Sequence, residues 1–222
     1  MKDPNGHRVE LEIAMDKGKI DDLLKLAVRT DPPVMSGSIH LQTKFDLPPG
    51  KADVADRLHL AGKFQISAAY FSNDKIQGKI DTLSLRSQGK PKMAQKMAQE
   101  MAEENISDNV QSALEGTFDL ASGLISLSQL RFTVPGTVVA LTGTYSLDGK
   151  VFDFHGTARM DAKLSQMVTG WKSMLLKPVD PFFSKNGAGT EVPVKITGTE
   201  SEPHFGVDFG HKDDASAIGK KP

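Results

Sequence analysis

Between Ser112 and Met160 apolar residues alternate with polar ones in four consecutive runs. Leu114, Phe118 and Leu120 mark the first, and Leu130, Phe132 and Val134 the second. Val139, Leu141, Tyr145 and Leu147 mark the third, and Phe152, Phe154, Ala158 and Met160 the fourth. A period of two is the signature of strands with one dry and one wet face. The breaks fall at Ala121-Ser122-Gly123, Pro135-Gly136 and Asp148-Gly149, which suit tight turns, so an antiparallel meander is expected. Ile125 and Leu127 share a phase that Leu130 does not, which predicts a bulge near Ser128. Upstream, Ile39, Leu41, Phe45 and Leu47 make a long strand over 36–47, and Leu58, Leu60, Phe64, Ile66, Ala68 and Tyr70 another over 58–70. Shorter runs at Val9, Leu11, Ile13, at Val192, Val194, Ile196 and at Phe205, Val207, Phe209 bring the total to about nine. Pro193, which offers no ladder donor, predicts an edge position for its strand.

Five of these strands share a weak repeat in which a glycine sits in phase with the apolar residues: Gly37, Gly62, Gly116, Gly143 and Gly156. Such glycines let a sheet curl beneath a covering aromatic, or they open a concave apolar wall to an extended ligand. Helical spacing appears over 16–28, 72–86, 92–104 and 161–176. The first carries Ile20, Leu23, Leu24, Ala27 and Val28; the second Ile76, Ile80 and Leu83; the third Met93, Met97 and Met101. The fourth has the widest stripe, Leu164, Met167, Val168, Trp171, Met174 and Leu175, with Asp161 placed to cap it and Lys177-Pro178 to end it. That stripe suits packing on the sheet as a capping helix; flanking Lys163, Lys172 and Lys177 would also suit a membrane surface. Strands and helices interleave without a strict βαβ order, so the fold class is α+β: a curved, mainly antiparallel sheet with amphipathic helices on or capping its apolar face. The expected organisation is one domain over 1–210, with a helical insertion at 90–105 and a polar tail over 211–222.

Composition narrows the function. Lys and Arg number 27 against 28 Asp and Glu, a net charge of -1, without the basic excess that nucleic-acid binding needs. Aromatics are 6%, too few for the girdles of a lipid-facing barrel. No cysteine is present, which excludes thiolate metal sites, cysteine nucleophiles and disulfides. No apolar run approaches the roughly 18 residues of a membrane span, and the first residues do not form a signal peptide. The six histidines are scattered, and no metalloprotease pair, nucleophile elbow or phosphate-binding loop occurs. Asp153 and His155, two apart on one polar face, suit either a metal or plain solvation. Glycine-rich 186–190 lacks a following helix and reads as a loop. A non-enzymatic protein without cofactor or metal is the expectation.

The order of a first strand, Asp16-Lys-Gly-Lys-Ile-Asp-Asp-Leu-Leu-Lys, Gly37-Ser-Ile-His-Leu41, Leu47-Pro-Pro-Gly50, Leu58-His-Leu-Ala-Gly-Lys-Phe64, Lys79-Ile-Asp-Thr-Leu, Phe132-Thr-Val-Pro-Gly136, Asp180-Pro-Phe-Phe183 and Val192-Pro-Val-Lys-Ile-Thr-Gly198 resembles the C-terminal region of bacterial AsmA-like envelope proteins. The likeness runs from about Val9 to Phe209; 90–104 departs from it, and no N-terminal anchor is present. The resemblance implies the periplasmic part of a longer, inner-membrane-anchored protein whose apolar grooves carry phospholipid and support outer-membrane biogenesis and integrity. About nine strands at roughly 4.8 Å give a wall near 40 Å, about one lipid long. The expected groove lining is Leu60, Phe64, Ile66, Leu114, Phe118, Leu120, Leu141, Tyr145, Phe152 and Phe154, with phospholipid or another acyl-chain lipid as partner. The competing expectation is a structural domain whose helices cover that face entirely and which docks another envelope protein.

Overall fold

The computed structural model describes residues 6–27, 32–102, 110–148, 150–167, 169, 189–199 and 202–208. Nine strands form a single open antiparallel sheet in which spatial order follows chain order. They are β1 (Val9–Lys19), β2 (Met35–Leu47), β3 (His59–Phe71), β4 (Ser112–Ala121), β5 (Leu124–Val134), β6 (Thr137–Ser146), β7 (Val151–Met160), β8 (Thr190–Thr199) and β9 (Pro203–Val207). The helices are α1 (Ile20–Ala27), α2 (Val54–Arg57), α3 (Asp74–Ser87) and α4 (Pro91–Ala102), with a 3-10 turn at Leu164–Met167. The α+β class and the meander read from the period-two runs are therefore what the chain adopts.

The bulge expected near Ser128 is present: Thr117 pairs with Gln129 and Phe118 with Leu127, leaving Ser128 unmatched. Pro193 lies on an inner strand rather than at an edge, since β8 pairs with both β7 and β9. Its carbonyl accepts from Asp208 N at 3.0 Å, just past the end of β9. The same side of Pro193 carries its missing donor, so the proline falls where the short neighbouring strand has run out.

Helix α1 starts at Ile20 rather than at Asp16. Asp16 and Lys17 form a bulge in β1, with Lys17 at a φ of 64°, and Gly18 and Lys19 then rejoin the ladder opposite Ile39 and Ser38. Ile20 packs with Ile39, Ile66 and Ala69, and Leu23 and Leu24 lie against the same cluster. Val28 and most of the stripe expected over 161–176, including Val168, Trp171, Met174 and Leu175, lie outside the described residues. Of that stripe, Leu164 and Met167 begin and end the 3-10 turn, and Met167 packs with Met160, Ala162 and Val192.

Helix α3 presents an unexpected face. The spacing of Ile76, Ile80 and Leu83 predicts an apolar seat, yet the buried residues are Gln77, Gly78, Asp81, Ser84 and Ser87. The helix lies over the ends of strands, where backbone groups lack ladder partners and need polar ones. Gln77 Oε1 accepts from Phe71 N at 2.9 Å, Asp81 Oδ1 accepts from Val110 N at 2.9 Å, and Ser84 Oγ donates to Pro135 O at 2.8 Å. Asn73 caps its first turn, accepting from Lys75 N and Ile76 N. Gly89 then takes a φ of 73° and lets Lys90 N return to Leu85 O, and Pro91 opens α4. Gly136, at a φ of 82° in the β5–β6 turn, sits directly under α3: a Cβ there would stand 2.8 Å from Gln88 Cγ.

Candidate functional site

The ladders align the apolar residues into four rows that cross the sheet. Nearest α3 run Ile39, Ile66, Leu114, Phe132, Val139, Ala158 and Val192, followed by Leu41, Phe64, Gly116, Leu130, Leu141, Gly156 and Val194. The third row is Thr43, Gly62, Phe118, Leu127, Gly143, Phe154 and Ile196. The fourth, nearest the opposite strand ends, is Phe45, Leu60, Leu120, Ile125, Tyr145, Phe152 and Gly198. All ten residues expected to line a groove, together with Gly62, Gly116, Gly143 and Gly156, fall in these rows. Gly37 lies apart, at the bulge in β2, where a Cβ would meet Ser67 O at 3.0 Å.

Cover over this face is uneven. The row nearest α3 contains buried Ile39, Ile66, Val139, Ala158 and Val192: Ile39 and Ile66 pack with α1, Val192 with Leu83 of α3 and Met167 of the 3-10 turn, and Val139 and Ala158 with other residues of the sheet. Leu120 and Leu141 are also buried, whereas Leu60, Phe64, Leu114, Phe118, Tyr145, Phe152 and Phe154 are half-buried. Leu147, just past β6 and in phase with Tyr145, is exposed. Aromatics lie over the glycines: a Cβ on Gly116 would stand 3.0 Å from Phe64 Cε1, and one on Gly143 would run into the ring of Phe154. Phe64 and Phe118 are 6.3 Å apart between centroids, and Phe152 and Phe154 are 6.4 Å apart and stacked. Lys79 of α3 reaches along this side to Phe205 of β9, its ammonium 5.4 Å from the ring centre.

The other face carries a hollow of about 950 Å3. Its lining takes residues 40–42, 63–65, 115–117, 128–131, 140–142 and 155–157; apart from Ser128 at the bulge, it leaves out the positions two away from each central apolar residue. Side chains alternate between faces along a strand. The hollow is therefore a trough on the polar face, walled by side chains such as Gln42, Lys63, Gln65, Thr117, Gln129 and Thr142 and floored by backbone. Phe64 and Leu141, of the ten groove residues, border it only from its floor. Arg131 and Glu115 form an ion pair across it at 3.2 Å, and His40 Nδ1 lies 3.5 Å from Asp16 Oδ1.

At one end of the trough His155 is held on both sides. Its Nδ1 is 2.7 Å from Asp208 Oδ2 and its Nε2 2.8 Å from Asp153 Oδ1. Two carboxylates can both be satisfied only by the doubly protonated ring. The hydrogen bond that His155 donates to Asp208 raises the His155 pKa above its ordinary value of 6.5; burial opposes it and Asp153 reinforces it. Asp153 beside His155 is visible along one strand, but Asp208 is 53 residues away and arrives only through the β7–β8–β9 pairing. Among the described residues, no group of three or more His, Cys, Asp or Glu is arranged around a metal position, and no helix is long and apolar enough to cross a membrane.

No family model matches the chain, and no match was found among curated proteins or solved structures.

Proposed function

We propose that this protein is a lipid-binding module whose apolar sheet face receives acyl chains in the strip that α1 and α3 leave half-covered. The observation that carries the reading is the continuity of four apolar rows across β2 to β8, with half-buried Phe118, Tyr145 and Phe152 outside the buried clusters. Hydrocarbon tails gain from contact with such a surface by roughly 25 cal/mol per Å2 of apolar area removed from water, while headgroups stay at the rim. Read with the resemblance to AsmA-like proteins, the module belongs in the periplasm as part of an inner-membrane-anchored protein, carrying phospholipid for outer-membrane biogenesis.

Protein purified without detergent is expected to yield phospholipid on solvent extraction and mass spectrometry, and to take up a fluorescent phospholipid. Phe118→Asp should weaken that uptake by about tenfold or more, the scale of losing one apolar side chain's burial. Asp119→Ser, on the opposite face of the same strand, should leave it unchanged. No extracted lipid together with no uptake by the wild-type protein would refute the reading.

A further inference from the structure

The two borders of the sheet are built differently. β9 is short, begins with a proline and contains Gly206, the kind of border that resists pairing with another strand. β1 runs in unbroken register with β2 from Val9 opposite Leu47 to Met15 opposite Leu41, a seven-residue ladder whose outer side pairs with none of the described residues. Along it there is no proline, no bulge before Asp16 and no charge pointing to the apolar face; its charges, Glu10 and Glu12, lie on the other face. Val9, Leu11 and Ile13 extend the apolar rows to this border and are 41%, 51% and 37% exposed. On the opposite face Glu10 pairs with Arg8, just before β1 on the same chain segment, at 3.0 Å, and Glu12 with Lys44 of β2 at 3.8 Å. The two glutamate side chains remain 65% and 84% exposed.

From this we infer that β1 is a docking edge for an extended segment of another polypeptide, which adds a tenth strand. The pattern it requires is dictated by β1: apolar residues at alternate positions to continue the dry face, and lysine or arginine between them to meet Glu10 and Glu12. Pairing with a second copy of this chain about the middle of the ladder is disfavoured. Antiparallel self-pairing centred on residue 10, 11 or 12 sets glutamate opposite glutamate while keeping the apolar side chains on one face. The inference does not depend on the lipid reading.

The test uses the full chain and a labelled nine-residue peptide alternating valine and lysine with threonine ends, followed by fluorescence anisotropy. Expected is saturable binding, weakened at least tenfold by Leu11→Lys with Ile13→Lys and by Glu10→Lys with Glu12→Lys, and unaffected by Phe205→Lys at the other border. The glutamate pair is exposed, so its replacement reads the edge even where the apolar pair loosens β1. Amide exchange should slow across residues 9–15 when the peptide binds. Absence of binding, binding indifferent to both double variants, or β1-dependent self-association of the chain would overturn the proposal.

Discussion

His155 converts its position between two carboxylates into a dependence of stability on pH. Its folded-state pKa lies above the unfolded value of 6.5, so its contribution is complete below that value and is lost as pH rises through the raised one. Asp208 belongs to the segment that follows β9, and its side chain is largely buried, so deprotonation of His155 loosens the tie between β7 and the last strand. The urea midpoint of the wild-type protein should therefore decline from about pH 6.5 upward, and His155→Gln should flatten that decline. Equal slopes in the two proteins would show that the ring does not couple to folding. The sequence placed Asp153 next to His155 and left solvation and metal binding both open; the partner that decides the ring's state was invisible because only tertiary pairing supplies it.

At the scale of the element, α3 acts as a polar lid on strand ends. Asp81 is fully buried, and its Oδ1 accepts from both Gln77 Nε2 and Val110 N, while Oδ2 finds no partner among the described residues. Asp81→Ala should lower stability by about 2 kcal/mol, since it strands the Val110 donor in a buried place. Asp81→Asn keeps the Oδ1 acceptor for Val110 N, so it should cost less than Asp81→Ala. Urea denaturation of both variants checks the order, and equal losses would contradict it. Periodicity failed for this helix for a physical reason: it assumes that a helix seeks an oily surface, whereas α3 meets backbone amides and carbonyls. Periodicity succeeded for the strands because each has one wet face, and even the slip of phase at Ser128 was readable. The start of α1 was misplaced because the bulge at Asp16 and Lys17 keeps polar residues in the ladder that helical spacing had claimed.

Across the whole molecule, and with buried Leu120 as an exception, cover on the apolar face thins from α3 toward the β4–β5 and β6–β7 turns. Amide exchange should follow that gradient: slowest around Ile39, Ile66, Val139 and Ala158, faster through Leu60, Tyr145 and Phe152, and fastest in β9 and the outer half of β1. Uniform protection from one strand end to the other would show that the face is sealed along its length, and would favour a scaffold over a carrier. Alternation alone revealed which side chains share a face. It could not show where helices stop covering it, because that depends on where α1 and α3 come to rest.

Strand order that copies chain order has one more effect. Every interior strand leans only on its two sequence-adjacent neighbours, so the molecule resembles a stack of planks more than a knot. A hairpin grafted onto either border would lengthen the stack without rethreading the strands already in it, and tension applied at the ends would peel strands away singly from the outside.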